Sequence, residues 1–285
     1  MFAPIENEMK SVLQSKHRQL EEVLGGDVIT YYGPIMSGAE NLLVKLLEDL
    51  EENEKGNKVY IVLTTTGGMA ETVERMVNVL RFHYKEVNFV VPDYAYSAGT
   101  IFCMSGDNIL MDYLSVLGPI DPQVKSKDGK MVAALGYLDK VNGLIKKAEN
   151  NKLTDAEFVI LKDFDLAELR AYEQARDLTI DLLEKWLVIY KFKNWNKHSK
   201  TNETVTPEQK IERAKEIGTA LSDSNKWKSH GRPIGIKELA ELKLIIDDYS
   251  NKILLRKAIR QYHSIMMDYI NMHKFANFVQ SRRFV

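Results

Sequence analysis

Three short runs in this 285-residue chain carry residue types suited to acyl transfer: TTTGGMA around Gly67 and Gly68, YAYSAGT around Ser97, and VLGPIDPQ around Asp121. A serine hydroxyl attacks a carbonyl only when a base takes its proton and donors hold the negative oxygen that forms. Glycine lets a backbone amide approach another group closely and adopt dihedrals closed to other residues. The amide of Ala98, next to Ser97, and one from the Gly67-Gly68 turn would give two such donors if the runs meet at one sheet edge.

The flanking residues supply the elements that place them there. VYIVLT (59–64) predicts a buried strand, and Val73, Met76, Val77 and Leu80 recur at the spacing of one helix face. VNFVV (87–91) predicts a second strand, a Pro92-Asp93 turn follows, and Ser97-Ala98-Gly99 opens a short helix with Ile101, Phe102 and Met104. Strand, tight turn and helix thus occur twice, and each turn exposes unpaired amides at a helix start. Pro119 and Pro122 fix the backbone around Asp121.

The runs TTTGG, YSAGT and SVLGPIDPQ resemble the Clp/crotonase superfamily, and most closely the SDH (serine dehydrogenase) family of Clp-fold serine proteinases, similar to signal peptide peptidase A and the Clp-type protease. The likeness begins at VITYYGPI, from Val28, and closes with WKSHGRPIGIKELAELKLIID, up to Asp247. It implies an α/β fold, a Clp/crotonase-like right-handed β-α spiral, with helices added at both ends. It further implies Ser97 as nucleophile, Gly68 and Ala98 as oxyanion donors, peptide or protein substrates, and a homo-oligomer built as a ring or stacked trimers. The mechanism needs no cofactor and no metal.

Two candidates remain for the base. Lys140 falls near the lysine of the Ser-Lys dyad of signal peptide peptidase A-like enzymes; serving as base would require a dry pocket that lowers its pKa by about three units. His230, oriented by Asp121, needs no large shift. A Ser97-His230-Asp121 set matches the Clp-type protease in residue types, with histidine and aspartate exchanged in chain order. The structural alternative gives Asp121 to backbone capping and His230 to bridging the closing loop.

With 39 basic and 40 acidic side chains the net charge is −1, which argues against nucleic acid or an anionic membrane as partner. One cysteine, Cys103, excludes an internal disulfide, and no pair of histidines has metal-ligand spacing. No window approaches 18 apolar residues and no signal pattern opens the chain, so a cytoplasmic protein without a membrane span is expected.

The chain divides by pattern into an N-terminal helix (1–26) stopped by Gly25-Gly26, a Clp-fold domain (27–250) and a C-terminal helical extension (251–285). Ser37 and Glu40 form a capping-box pattern before the first domain helix. One long helix is predicted from Thr154 to Lys193, another opens at Thr206-Pro207, LII (244–246) reads as strand, and Asn251 to Val279 reads as one helix. EENEKGNK, KSKDGK and NWNKHSKTNETV read as polar loops, the second as a loop or hairpin, with His198 exposed in the third.

Two further function classes share these motifs. A crotonase-like acyl-CoA enzyme uses the same pair of amides without a serine, but no basic cluster for its adenine phosphates adjoins Gly67-Gly68. A catalytically silent scaffold would keep the fold for oligomeric assembly.

Overall fold

Alternate residues of DVITYY point to opposite faces of a sheet, and both sets are apolar or satisfied, so this strand is buried on two sides. The computed structural model, which describes residues 3–50, 55–125, 129, 131–198 and 201–283, builds a six-stranded sheet on that pattern. In chain order the elements are α1 (Ala3–Leu24), β1 (Asp27–Tyr32), α2 (Ala39–Glu48), β2 (Lys58–Thr64), α3 (Ala70–His83), β3 (Glu86–Val90) and β4 (Tyr94–Ala95). There follow α4 (Ala98–Met104), β5 (Asn108–Met111), β6 (Val116–Leu117), β7 (Gln123–Lys125), β8 (Met131–Ala133), α5 (Ala134–Glu149) and α6 (Asp155–Lys162). The chain continues through α7 (Leu166–Trp186), a π-helical turn (Leu187–Lys191), α8 (Pro207–Ser222), α9 (Ser224–Trp227) and α10 (Ile236–Glu241). It closes with β9 (Asp247–Asp248), α11 (Ile253–His273) and β10 (Phe278–Gln280).

The sheet order is β10-β1-β2-β3-β5-β9, with β1, β2, β3, β5 and β9 parallel and β10 antiparallel at one edge. One face, through Ile29, Ile61, Phe89 and Ile109, packs on α2, α3, α4 and α7. The other, through Val28, Val62, Val90 and Leu110, packs on Leu13 and Leu20 of α1 and Ile259, Tyr262 and Met266 of α11. The terminal helices therefore cover one face of the main sheet. Tyr262 ties them to it: its hydroxyl lies 2.5 Å from Thr30 Oγ1, 3.1 Å from Gln280 Oε1 and 3.4 Å from His17 Nδ1.

Beyond their C-terminal ends the main strands step out into a smaller second layer. There Ile35 bridges Gly68, Thr65 bridges Ala95, β4 pairs with β6, and Leu117 bridges Ile234. This succession of strand, step and helix is the β-α spiral expected from the sequence.

Several local readings change. The stretch expected as one helix from Thr154 to Lys193 is broken at Asp163–Asp165, where the Asp165 carboxylate caps α7 by accepting from the amides of Ala167 and Glu168. Gly38, with φ 96°, replaces Ser37 as the cap of α2, and Glu40 accepts the Gly38 amide. The helix expected to reach Val279 stops at His273, because Lys274 turns left-handed (φ 56°), and the residues beyond add the edge strand β10. The LII reading moves by three residues: Asp247–Asp248 is the strand. His198 is half-buried, its Nε2 3.2 Å from Gln209 Oε1. Part of each polar loop, residues 51–54, 126–128, 130 and 199–200, lies outside the described residues, although β7 and β8 flank KSKDGK as a hairpin.

At the N-terminal edge of the sheet, buried Asp107 accepts from Arg81 and from the Val87 amide, both at 2.8 Å, and pairs with Lys193. Burial opposes its ionisation, but Lys193, Val87 and Arg81 outweigh that and hold the carboxyl below the usual range. Asp107→Asn is expected to cost about 2–3 kcal/mol in urea denaturation at pH 7. Because the folded pKa is lowered, this contribution is present above about pH 4 and is lost as pH falls through the folded value, so the gap between wild type and variant should close in acid. Equal stabilities at pH 7 would contradict the assignment.

Candidate active site

The two turns meet. A Cβ added at Gly67 (φ +99°) would lie 2.7 Å from Ser97 Cβ and 3.1 Å from the Ala98 amide nitrogen, so only glycine lets the corners close on each other. Thr65 holds them in register: its amide donates to Tyr94 O at 3.1 Å, its carbonyl accepts from Tyr96 at 3.0 Å, and its hydroxyl accepts from Gly67 at 3.0 Å. On the far side, Ile35 donates to Gly67 O and accepts from Met69, both at 2.8 Å. The Gly68 amide lies between these two bonds, and among the described residues it has no acceptor.

Ser97 sits at φ 52°, ψ −119°, a conformation that costs a residue with a side chain roughly 1–3 kcal/mol. It precedes α4 without capping it, and its hydroxyl makes no hydrogen bond among the described residues. Gly99 donates to Tyr96 O, and Thr100 and Ile101 both donate to Ser97 O. Among the described residues the Ala98 amide, at the first helical position, has no acceptor. Thr100 anchors the helix, its hydroxyl 2.9 Å from Ala95 O and 2.8 Å from Gly118 O while accepting from the Gly118 amide. A half-buried hydroxyl and two free amides on adjoining corners can attack and stabilise an acyl carbonyl.

Asp121 and His230 also meet. Oδ1 of the buried carboxylate lies 2.9 Å from Nδ1 of the imidazole, and Gln123 donates to Oδ2 at 2.8 Å. A carboxylate can only accept, so Nδ1 carries a proton, and in the neutral imidazole Nε2 keeps the lone pair. Two bonds of 2.9 Å between Leu117 and Ile234 pin the loop carrying His230. Lys140 lies on α5 with its side chain exposed, so one chain does not supply the dry pocket that a basic amine requires. Neither base is hydrogen-bonded to Ser97 in this structure.

Sequence reasoning passed over Thr65 and Thr100, which lock the corners. The first stands inside the quoted TTTGG and the second ends YSAGT, but nothing in either run distinguishes a clamping threonine from an ordinary strand or helix residue.

The model of ClpP-like SDH-type serine proteinases matches residues 10–206. The chain belongs to this family. Two uncharacterized proteins of Methanocaldococcus jannaschii are similar, one 26% identical over 76% of this chain and 65% of its own length, the other 25% identical over 66% and 52%. The chain therefore spans about half to two-thirds of the curated relatives it matches. Among solved structures, a serine-to-alanine mutant of the 1510-N membrane-bound stomatin-specific protease aligns at 18% identity over 66% of this chain and 75% of its own, with a TM-score of 0.35. ClpP1 from Listeria monocytogenes aligns at 12% identity over 84% of this chain and 94% of its own, with a TM-score of 0.43. Among the described residues no helix is long and apolar enough to cross a membrane.

Proposed function

We propose that this family member hydrolyses peptide bonds through an acyl-enzyme on Ser97. The scissile carbonyl oxygen would sit between the Gly68 and Ala98 amides. Ser97 Oγ attacks the carbonyl carbon, its proton passes to a base and on to the leaving amine, and water then releases the acyl group. The observation that carries this reading is the strained, unbonded Ser97 beside two amides without acceptors.

Two arrangements would supply the base. Lys140 would serve if a second copy of the chain covered the exposed face of α5 and dried its amine; this goes with the homo-oligomer expected from the sequence. His230 would serve if its free Nε2 swung to Ser97 while Asp121 kept Nδ1, and the 2.9 Å pair favours that alternative. Turnover of a quenched fluorescent peptide library separates the two. The variant of the true base, Lys140→Met or His230→Gln, should lose about a thousand-fold in kcat, and the other should stay within a few-fold. Absence of turnover by the assembled wild type would overturn the peptidase reading in favour of a silent scaffold.

A further inference from the structure

A groove of about 960 Å³ opens between the end of α7, the start of α8 and α10, at the opposite end of the sheet from Ser97. Its wall at Lys191 touches Asp107, the residue before β5, whereas Ser97 follows β3 at its other end; the strand length alone separates them by roughly 15 Å. The size is that of a small-molecule site. Phe192, Trp195, Leu244 and Ile246 give it apolar walls.

Its charge is cationic. Lys191 ends the π-helical turn, a distortion that recurs at functional sites. Among the described residues the Lys191 ammonium has one hydrogen bond, to the backbone carbonyl of Asp107 at 3.5 Å. The carboxylates that face it are otherwise engaged: Asp107 with Arg81 and Lys193, Asp247 with Lys252, and Glu86 with Asn88. On the other walls Arg213 pairs with Glu216, Glu203 accepts from Thr201, His198 bonds Gln209, and Lys243 is exposed. Lys191, half-buried and without a salt bridge among the described residues, thus forms part of the groove's wall beside the apolar side chains, with Asp107 and Asp247 near enough to favour its charge.

We propose that this groove binds a small amphipathic carboxylate, its apolar body against Trp195, Phe192 and Ile246 and its carboxylate on Lys191. Burial lowers the Lys191 pKa to about 8, with Asp107 and Asp247 opposing the shift. A bound carboxylate restores the charge balance, and binding must weaken as pH rises through that value.

Calorimetric titration of the full chain with decanoate, and with decanol as the uncharged control, tests the site. At pH 7 decanoate should bind wild type about ten-fold or more tighter than Lys191→Met, while decanol binds both alike. Between pH 7 and 9.5 the wild-type affinity for decanoate should fall about ten-fold or more, with decanol unaffected. Equal decanoate affinities for the two proteins, a pH-independent affinity, or no binding would overturn the proposal. If Lys191→Met does not fold, the wild-type pH series decides alone.

Discussion

Ser97→Ala should lower peptide turnover by at least about a thousand-fold while leaving the thermal unfolding midpoint nearly unchanged. The two halves of that expectation have separate causes. The hydroxyl has no hydrogen-bond partner among the described residues, so its removal strands no buried group there, and stability should shift by no more than about 0.5 kcal/mol. Alanine keeps a Cβ and keeps the backbone strain. Ser97→Gly removes both: φ 52° is open to glycine, and relief of strain offsets its greater freedom in the unfolded chain. Ser97→Gly should therefore be as stable as wild type or more so, by up to about 1 kcal/mol, and equally inactive. A nucleophile held at a cost to stability is what an active corner requires. If both variants kept wild-type turnover, the serine would be structural.

Gly68→Ala should act through position. Its Cβ would come within 2.0 Å of Ile35 O, a backbone atom in a bonded bridge, at φ +151°. Neither side can yield without moving the Gly68 amide or breaking the bonds between Ile35 and its neighbours. The expected results are a loss of about 100- to 1,000-fold in kcat, the scale of one lost oxyanion donor, and destabilisation of roughly 1–3 kcal/mol. Gly143→Ala is the control. That glycine lies inside α5 with open space around its missing Cβ, so alanine should stabilise by about 0.5–1 kcal/mol. Wild-type kcat in Gly68→Ala would remove that amide from the mechanism.

The corners were legible in the sequence because each joins a run of β-branched residues to a helical stripe, with small residues between them. Apolar periodicity marks both flanks, and at Gly67 only a residue without a Cβ fits, since an added Cβ would lie 2.7 Å from Ser97 Cβ. Asp121 and His230 could be named as partners by residue type, but their contact is made by the bridge of Leu117 to Ile234, a pairing distant in sequence. The strand β10 has three residues, too few for alternation to register; it forms because the edge of β1 offers unpaired amides and carbonyls. The break at Asp163–Asp165 hid inside an apolar stripe that continues through it, and only the carboxylate cap marks it. Lys191 read as one more polar residue at a helix end. Its depressed pKa comes from burial in the folded chain, which no local pattern encodes.

The proposed chemistry rests on the Ser97 hydroxyl attacking a carbonyl or its mimic. A fluorophosphonate reacted with the full-length chain, followed by peptide mapping in a tandem mass spectrometer, reads that attack at one atom. A single phosphonyl adduct on Ser97, absent from Ser97→Ala and reduced in Gly68→Ala, is the expected result. An unmodified Ser97 in the reacted wild-type chain, or an adduct on another serine, would contradict it.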